Sequence, residues 1–240
     1  MSSMIHIGTS GFCYNHWKKL FYPADLPQRQ WLEFYSERFA CVEINNSFYR
    51  LPSEATLVSW RKRTPPDFIF VLKGSRYITH IKRLLGCKEA INIFYKRAGL
   101  LQHKLGPILW QLPPRFKINI SRLKEFLDLL PANPIPVLEF RNSTWFTTEV
   151  YEVMEEKGAV LCVHDMPSSN CPNVAVGPLL YIRFHGPTGR YSGNYTRAML
   201  GKYVKWVKQT GAKNIYAFFN NDIGAHAIRN ALTFHKQLVK

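Results

Sequence analysis

The sequence predicts a TIM-type (β/α)8 barrel of the α/β class, with parallel strands and a single domain over residues 1–240. Strand and helix patterns alternate about eight times, and the chain of 240 residues has a length typical of such barrels. The rival fold is an open doubly wound sheet, but neither a G-x-G-x-x-G nor a P-loop pattern follows the first predicted strand. The barrel is therefore the predicted architecture.

The first half of the chain contains four predicted strands, at residues 5–11, 41–45, 68–73 and 108–114. One helix is predicted to open at Pro27, and a second to follow Ser53, a residue type that caps helix N-termini. A third helical pattern surrounds Phe94 and is predicted to end at Gly106 and Pro107.

The second half repeats this alternation with one interruption. Asn119 is predicted to cap a helix, a strand opens at Pro136, and another helix starts near Thr147. Strands are predicted at 159–163, 179–185 and 215–220, with a helix from Thr196 to Gly211 and a last helix around Ala227. Residues 166–178 contain three prolines and no helical period, so an irregular connection is predicted in place of the helix after strand 6.

Polar side chains are predicted to collect at one end of the barrel. Side chains alternate across a strand, so the large apolar residues of each strand face the helices and the intervening residues face the barrel axis. The predicted inward set near the strand C-termini is Glu43, Asn45, Lys73, Gln111, Glu139, Arg141, Arg183, His185 and Asn220. TIM-type barrels carry their sites at this end, so a functional site is predicted there.

Two readings of this inward set are open, because a lone buried charge costs several kcal/mol and must be paired or hydrated. In one, the charges form a closed and satisfied polar plug. In the other, they line a pocket in which Glu43 and Glu139 are acid/base candidates. The predicted ligand-binding residues are then Asn45, Tyr49, Lys73, His80, Gln111, Arg141, Trp145, Asp165, Arg183, His185 and Asn220.

The charge balance favours an anionic partner. The chain has 32 Lys and Arg against 16 Asp and Glu, for a formal charge of +16. This charge favours nucleic acid as the first candidate partner, and the alternative is that it serves solubility alone. Five cysteines without a C-x-x-C pair, and histidines without a ligand spacing, predict no cofactor. The alternative is a metal ion held by His80, His164, His185 and Asp165. Without an apolar run near 18 residues or a leader pattern, we expect a cytoplasmic protein with no membrane partner.

Several short motifs occur in a specific order: Gly8-Thr9-Ser10-Gly11-Phe12, Val42-Glu43-Ile44-Asn45, Thr79-His80, Gln111-Leu112-Pro113, Glu139-Phe140-Arg141, Arg183-Phe184-His185-Gly186 and Phe219-Asn220-Asn221. Together they resemble the YecE-like family, domain of unknown function seventy-two. The resemblance implies a TIM-type barrel without a settled activity, similar to the barrels of xylose-isomerase-like enzymes and type IV abasic-site endonucleases. It therefore implies a role with nucleic acid, although this chain lacks the many His, Asp and Glu ligands of a multi-zinc endonuclease.

Three functions are consistent with the sequence. The first is an anion-binding barrel that binds or processes nucleic acid or a phosphorylated or sugar ligand. The second is a metal-independent hydrolase, lyase or isomerase that uses Glu43 and Glu139 on a small carbohydrate-like substrate. The third is a binding protein without catalysis. The sequence predicts neither the substrate nor the oligomeric state.

Overall fold

A computed structural model describes residues 4–166, 168–189 and 191–240. The eight strands within these ranges are β1 (Met4–Thr9), β2 (Cys41–Ile44), β3 (Ile69–Lys73), β4 (Leu105–Gln111), β5 (Pro136–Glu139), β6 (Val160–His164), β7 (Leu180–Phe184) and β8 (Asn214–Phe219). All seven ladders that join them are parallel, in the order β1-β8-β7-β6-β5-β4-β3-β2. The predicted TIM-type barrel is confirmed.

The α-helices among the described residues are α1 (Trp31–Ser36), α2 (Glu54–Arg63), α3 (Lys88–Ala98), α4 (Ile120–Asp128), α5 (Thr148–Glu156), α6 (Arg197–Thr210) and α7 (His226–Leu238). The predicted caps are confirmed, because Ser53 accepts from the Thr56 amide and Asn119 from the Arg122 amide. The helix predicted to start near Thr147 is also confirmed, and Thr147 itself accepts from the Val150 amide. Each cap satisfies an amide that the first helical turn leaves without a partner. None of these helices is both long and apolar enough to span a membrane.

Two connections test the predicted helix boundaries. Among the described residues between β6 and β7 there is no helix, so the predicted irregular connection is confirmed. The prediction that Gly106 and Pro107 end a helix is wrong, because both lie inside β4. The β3–β4 register shifts between Phe70 and Leu72, beside this pair, because proline has no amide hydrogen to give to a ladder.

The barrel has a seam between β1 and β2, since no ladder joins these two strands in the part of the chain that the structure describes. At the seam, Gly8 lies so close to β2 that an added Cβ would be 2.3 Å from the Cys41 carbonyl oxygen. The Tyr35 hydroxyl accepts from the Thr9 amide at 3.0 Å and donates to the Cys41 carbonyl at 3.1 Å. A side chain of α1 thus makes the link that backbone pairing makes elsewhere in the barrel.

The predicted alternation of side chains is confirmed. Phe70, Leu138, Ile182 and Phe184 are buried in the layer between strands and helices. A separate apolar cluster fills the barrel interior: Cys41, Val71, Leu109, Val137, Val160, Cys162, Leu179, Tyr181, Tyr216 and Phe218. The inward polar residues follow these in sequence along each strand, so they lie above this cluster at the C-terminal end of the barrel.

Candidate functional site

Arg183 is the centre of the polar layer. It points inward from β7 and is 1% exposed. Its Nη2 donates to Glu43 on β2 at 2.7 Å, and its Nη1 donates to Glu139 on β5 at 2.6 Å. The Nε also reaches Glu43, at 3.1 Å, while Asn45 and His185 each lie 3.3 Å from a terminal nitrogen. Because a guanidinium has five N–H donors, all of them have a partner here.

Each oxygen of the two carboxylates also has a partner. The second oxygen of Glu43 accepts from the Tyr181 hydroxyl at 2.7 Å, and the second oxygen of Glu139 forms an ion pair with Arg141. Neither glutamate is exposed to solvent. Although burial alone would raise it, the positive charges of Arg141 and Arg183 hold the pKa of Glu139 well below its ordinary value.

These contacts bear on the acid/base roles predicted for Glu43 and Glu139. A general acid or base needs an oxygen within reach of the ligand. Here each carboxylate would first have to leave an ion pair, and removing one partner from a buried pair costs about 3–5 kcal/mol. The geometry therefore favours a positioning role, in which the two glutamates hold Arg183 in place.

His185 completes this layer in its neutral form. Its Nε2 lies 2.7 Å from Arg141 Nη2 and 3.3 Å from Arg183 Nη1. Since a guanidinium only donates, Nε2 accepts and the ring proton is on Nδ1. Burial, and then the charge of Arg183, lowers the pKa of His185 well below its ordinary value. Asp165 fixes the local backbone, because its carboxylate accepts from the His185 amide at 2.6 Å and from the Tyr195 hydroxyl.

Lys73 has a different environment at the end of β3. Its side-chain nitrogen donates to Gln111 Oε1 at 2.7 Å and lies 4.4 Å from the centre of the Phe48 ring. Both partners are uncharged, and among the described residues no carboxylate forms an ion pair with Lys73. Burial, and then the charge of Arg183, lowers the pKa of Lys73 to about 8. Lys73 is thus the inward cation that lacks a countercharge.

A cavity of about 210 Å³ lies above this layer, and we call it the central cavity. Its lining residues are Asn45, Tyr49, Lys73, Arg183, Tyr191, Asn220 and Asp222. Tyr191 and Asp222 are not among the site residues that the sequence predicts. Asp222 comes directly after the Asn220-Asn221 motif, and this position alone is enough to predict that it lies near the site. Tyr191 belongs to the loop after β7, and no periodic pattern indicates its direction.

The remaining predicted residues are only partly brought together. Gln111 contacts Lys73, and His80 packs edge-on against Phe48 with ring centres 4.9 Å apart. Trp145 is separate from the cavity because it is fully buried on the helix side, stacked on Phe140 and bonded to the Phe116 carbonyl. Its predicted ligand contact is inconsistent with this position.

Metal-ligating side chains do not cluster in the part of the chain that the structure describes, where no group of three or more His, Cys, Asp or Glu residues could hold a metal ion. The side chains that line the central cavity supply two amides, two phenols, two cations and one carboxylate, that of Asp222, so the cations outnumber the carboxylate. Amides can bind oxygen-rich ligands, and cations attract anions, so this set suits an anionic ligand better than a metal ion.

Comparison with known proteins identifies relatives over nearly the whole chain. The family model described as protein of unknown function DUF72 matches residues 6–240. The UPF0759 protein YunF of Bacillus subtilis is 29% identical, with 95% of this chain and 92% of that protein covered. The UPF0759 protein YecE of Escherichia coli is 31% identical over 60% of this chain and 50% of its own length.

Solved structures give the same assignment. A DUF72 family protein from Thermotoga maritima is 30% identical and superposes with a TM-score of 0.90, covering 99% of this chain and 100% of that one. A DUF72 family protein from Enterococcus faecalis is 22% identical, with a TM-score of 0.85 and coverage of 99% and 96%. SacUVDE is 10% identical, with a TM-score of 0.60 and 98% of each chain covered, a likeness of fold alone.

Proposed function

The chain belongs to DUF72, a family of proteins of unknown function, and we propose that it binds a small anionic ligand in the central cavity, with Lys73 as the cation that attracts it. The observation that carries this proposal is the unequal pairing of the inward cations. Arg141 and Arg183 form ion pairs with glutamates, whereas the contacts of the Lys73 ammonium among the described residues are the amide of Gln111 and the ring of Phe48.

The energetic cost of this arrangement supports a ligand. A buried ammonium without a countercharge destabilises the fold unless something compensates it. Lys73 is 9% exposed and lines a cavity in which a phosphate or carboxylate could lie beside it. The amides of Asn45 and Asn220 line the same cavity and can donate to the oxygens of such a group.

Nucleic acid is the second candidate ligand, and the net charge of +16 favours it. The fold likeness to SacUVDE fits this candidate without assigning a reaction. The central cavity would then take one phosphate or one exposed nucleotide unit. The basic residues outside the barrel mouth would contact the rest of the strand.

Calorimetric titration with inorganic phosphate tests the proposal. We expect Lys73→Met to weaken phosphate binding at least tenfold, because the cation that attracts it is gone, while Lys124→Met on the exposed face of α4 leaves binding unchanged. Equal affinity of both variants and the unchanged protein would refute the role of Lys73.

A salt series with a short oligonucleotide tests nucleic acid as the ligand. We expect the affinity for the oligonucleotide to fall steeply as salt rises, and a salt-independent affinity would exclude nucleic acid.

The pH dependence of binding gives an independent test. Lys73 is protonated below its pKa of about 8, so we expect phosphate affinity to fall as pH rises from 7 to 9. Phosphate carries its full second charge over most of this range, so a fall reports loss of the protein cation. A Lys73→Arg variant should keep its affinity to higher pH because a guanidinium stays charged.

A further inference from the structure

A second cavity of about 320 Å³ opens at the top of the seam between β1 and β2. We call it the aromatic annex. Its lining residues are Ser10, Gly11, Phe12, Cys13, Tyr14, Ile44, Asn45, Asn46 and Trp60. One wall therefore comes from the segment after β1, another from the end of β2, and the indole comes from α2. None of these residues carries a formal charge at neutral pH.

The annex adjoins the central cavity, because Asn45 lines both. The Asn45 side chain is held between them. Its Nδ2 donates to the Ser10 carbonyl at 3.2 Å, and its Oδ1 accepts from Arg183 at 3.3 Å. A molecule that passes over Asn45 would lie in both cavities.

The aromatic rings of the annex are already braced. Trp60 is stacked on Phe70, with ring centres 5.6 Å apart and planes 10° from parallel. Phe12 meets Trp60 edge-on, with centres 6.1 Å apart, and Tyr14 is fixed by donation to the Ser10 carbonyl at 2.6 Å. Rings held in this way offer flat apolar surface to a ligand without a large loss of side-chain entropy.

Ser10 supplies a second and independent indication of a ligand. The residue is 1% exposed, and its Oγ has no hydrogen-bond partner among the described residues. A buried hydroxyl without a partner costs about 1–3 kcal/mol, so most are satisfied in folded proteins. Ser10 lines the annex, where a polar group of a bound molecule could pair with this hydroxyl.

We propose that the aromatic annex binds the ring portion of the same ligand whose anionic group lies beside Lys73, so that the ligand class is a flat heterocycle joined to a phosphate, as in a nucleoside monophosphate. This inference rests on the proposed function. The sizes agree with it, since ligand sites usually enclose about 300–1,000 Å³. The central cavity of about 210 Å³ is below that range, and the two cavities together fall inside it.

Calorimetry with three probes tests the inference: inorganic phosphate, the four nucleoside 5′-monophosphates, and the matching nucleosides. We expect at least one monophosphate to bind about ten- to a hundredfold more tightly than phosphate, the gain that ring stacking gives. Ser10→Ala should weaken the binding of that monophosphate a few-fold and leave the affinity for phosphate unchanged. The substitution deletes a single oxygen that has no protein partner, so the fold should tolerate it.

Trp60→Leu is the stronger variant and should abolish most of the gain from the ring. Lys73→Met should weaken phosphate and monophosphate together. If phosphate binds through Lys73 but no monophosphate binds more tightly, the annex inference is overturned and the proposed function stands. If Lys73→Met changes neither affinity, the proposed function fails, whatever the ring contributes.

Discussion

Arg183 and Lys73 are both inward-facing cations at the same end of the barrel, but Arg183 forms ion pairs with carboxylates and Lys73 contacts neutral groups. Arg183 reaches Glu43 and Glu139 on two other strands, and every one of its donors has a partner. Lys73 has a neutral amide and an aromatic ring as its contacts. Both are nearly buried, at 1% and 9% exposed, so solvent does not explain the difference.

The comparison separates two uses of buried charge. Arg183 with its two glutamates is a closed unit that links β7 to β2 and β5 across the barrel, and it needs no ligand to be stable. Lys73 keeps a charge that the protein leaves without a counterion among the described residues. The polar plug that the sequence predicts as one alternative thus matches Arg183 and its two glutamates, while a ligand beside Lys73 is the proposal made above.

The largest expected change in stability comes from removing the Arg183 side chain from between its two glutamates. Arg183→Met leaves two buried carboxylates without their shared cation, and we expect the free energy of unfolding to fall by about 3–5 kcal/mol. Urea denaturation measures it, with Arg197→Met on the exposed side of α6 as the matched control. Adding Glu43→Gln and Glu139→Gln to Arg183→Met should recover part of the loss. A loss below about 1 kcal/mol would show that Arg183 does not hold the layer together.

A smaller change in stability, of opposite sign, is expected when Lys73 is replaced. Lys73→Met removes an ammonium that is costly to bury, and we expect the free energy of unfolding to rise by about 2 kcal/mol at pH 7. The pKa of Lys73 is about 8 in the folded protein and 10.5 in a free lysine, so the unfolded chain holds more protons between these values. The stability of the unchanged protein should therefore increase relative to Lys73→Met from pH 8 to 10.5. A variant less stable than the unchanged protein would contradict the comparison.

The smallest effect concerns one hydroxyl. Tyr181→Phe removes the donor to the second oxygen of Glu43, and we expect a loss of about 1–2 kcal/mol because that oxygen stays buried. The control is Tyr216→Phe, since Tyr216 stacks beside Tyr181 at 6.2 Å and its hydroxyl has no hydrogen bond among the described residues. Equal losses in the two variants, measured by urea denaturation, would mean that the Tyr181 contact adds no stability.

The sequence predicted the barrel and the inward residues because alternation and capping are local properties. Glu43, Lys73 and Arg183 could each be placed on the axis from the pattern of their own strand. Their pairing could not, since Glu43 and Arg183 are 140 positions apart and the contact depends on side-chain reach across the barrel. Trp145 shows the same limit, because the turn after β5 aims it at Phe140 and away from the cavity.

Because no ladder joins β1 and β2 among the described residues, the barrel is a curved sheet in which these two strands are the edges. Strands at those edges can separate without breaking a ladder bond, and among the described residues the hydrogen bonds of Tyr35 and Asn45 bridge the gap directly. The residues that line the aromatic annex come from both edges, so a bound ligand would hold the two edges together. Amide hydrogen exchange should then be fastest along these edges in the empty protein, and slower once the gap is bridged.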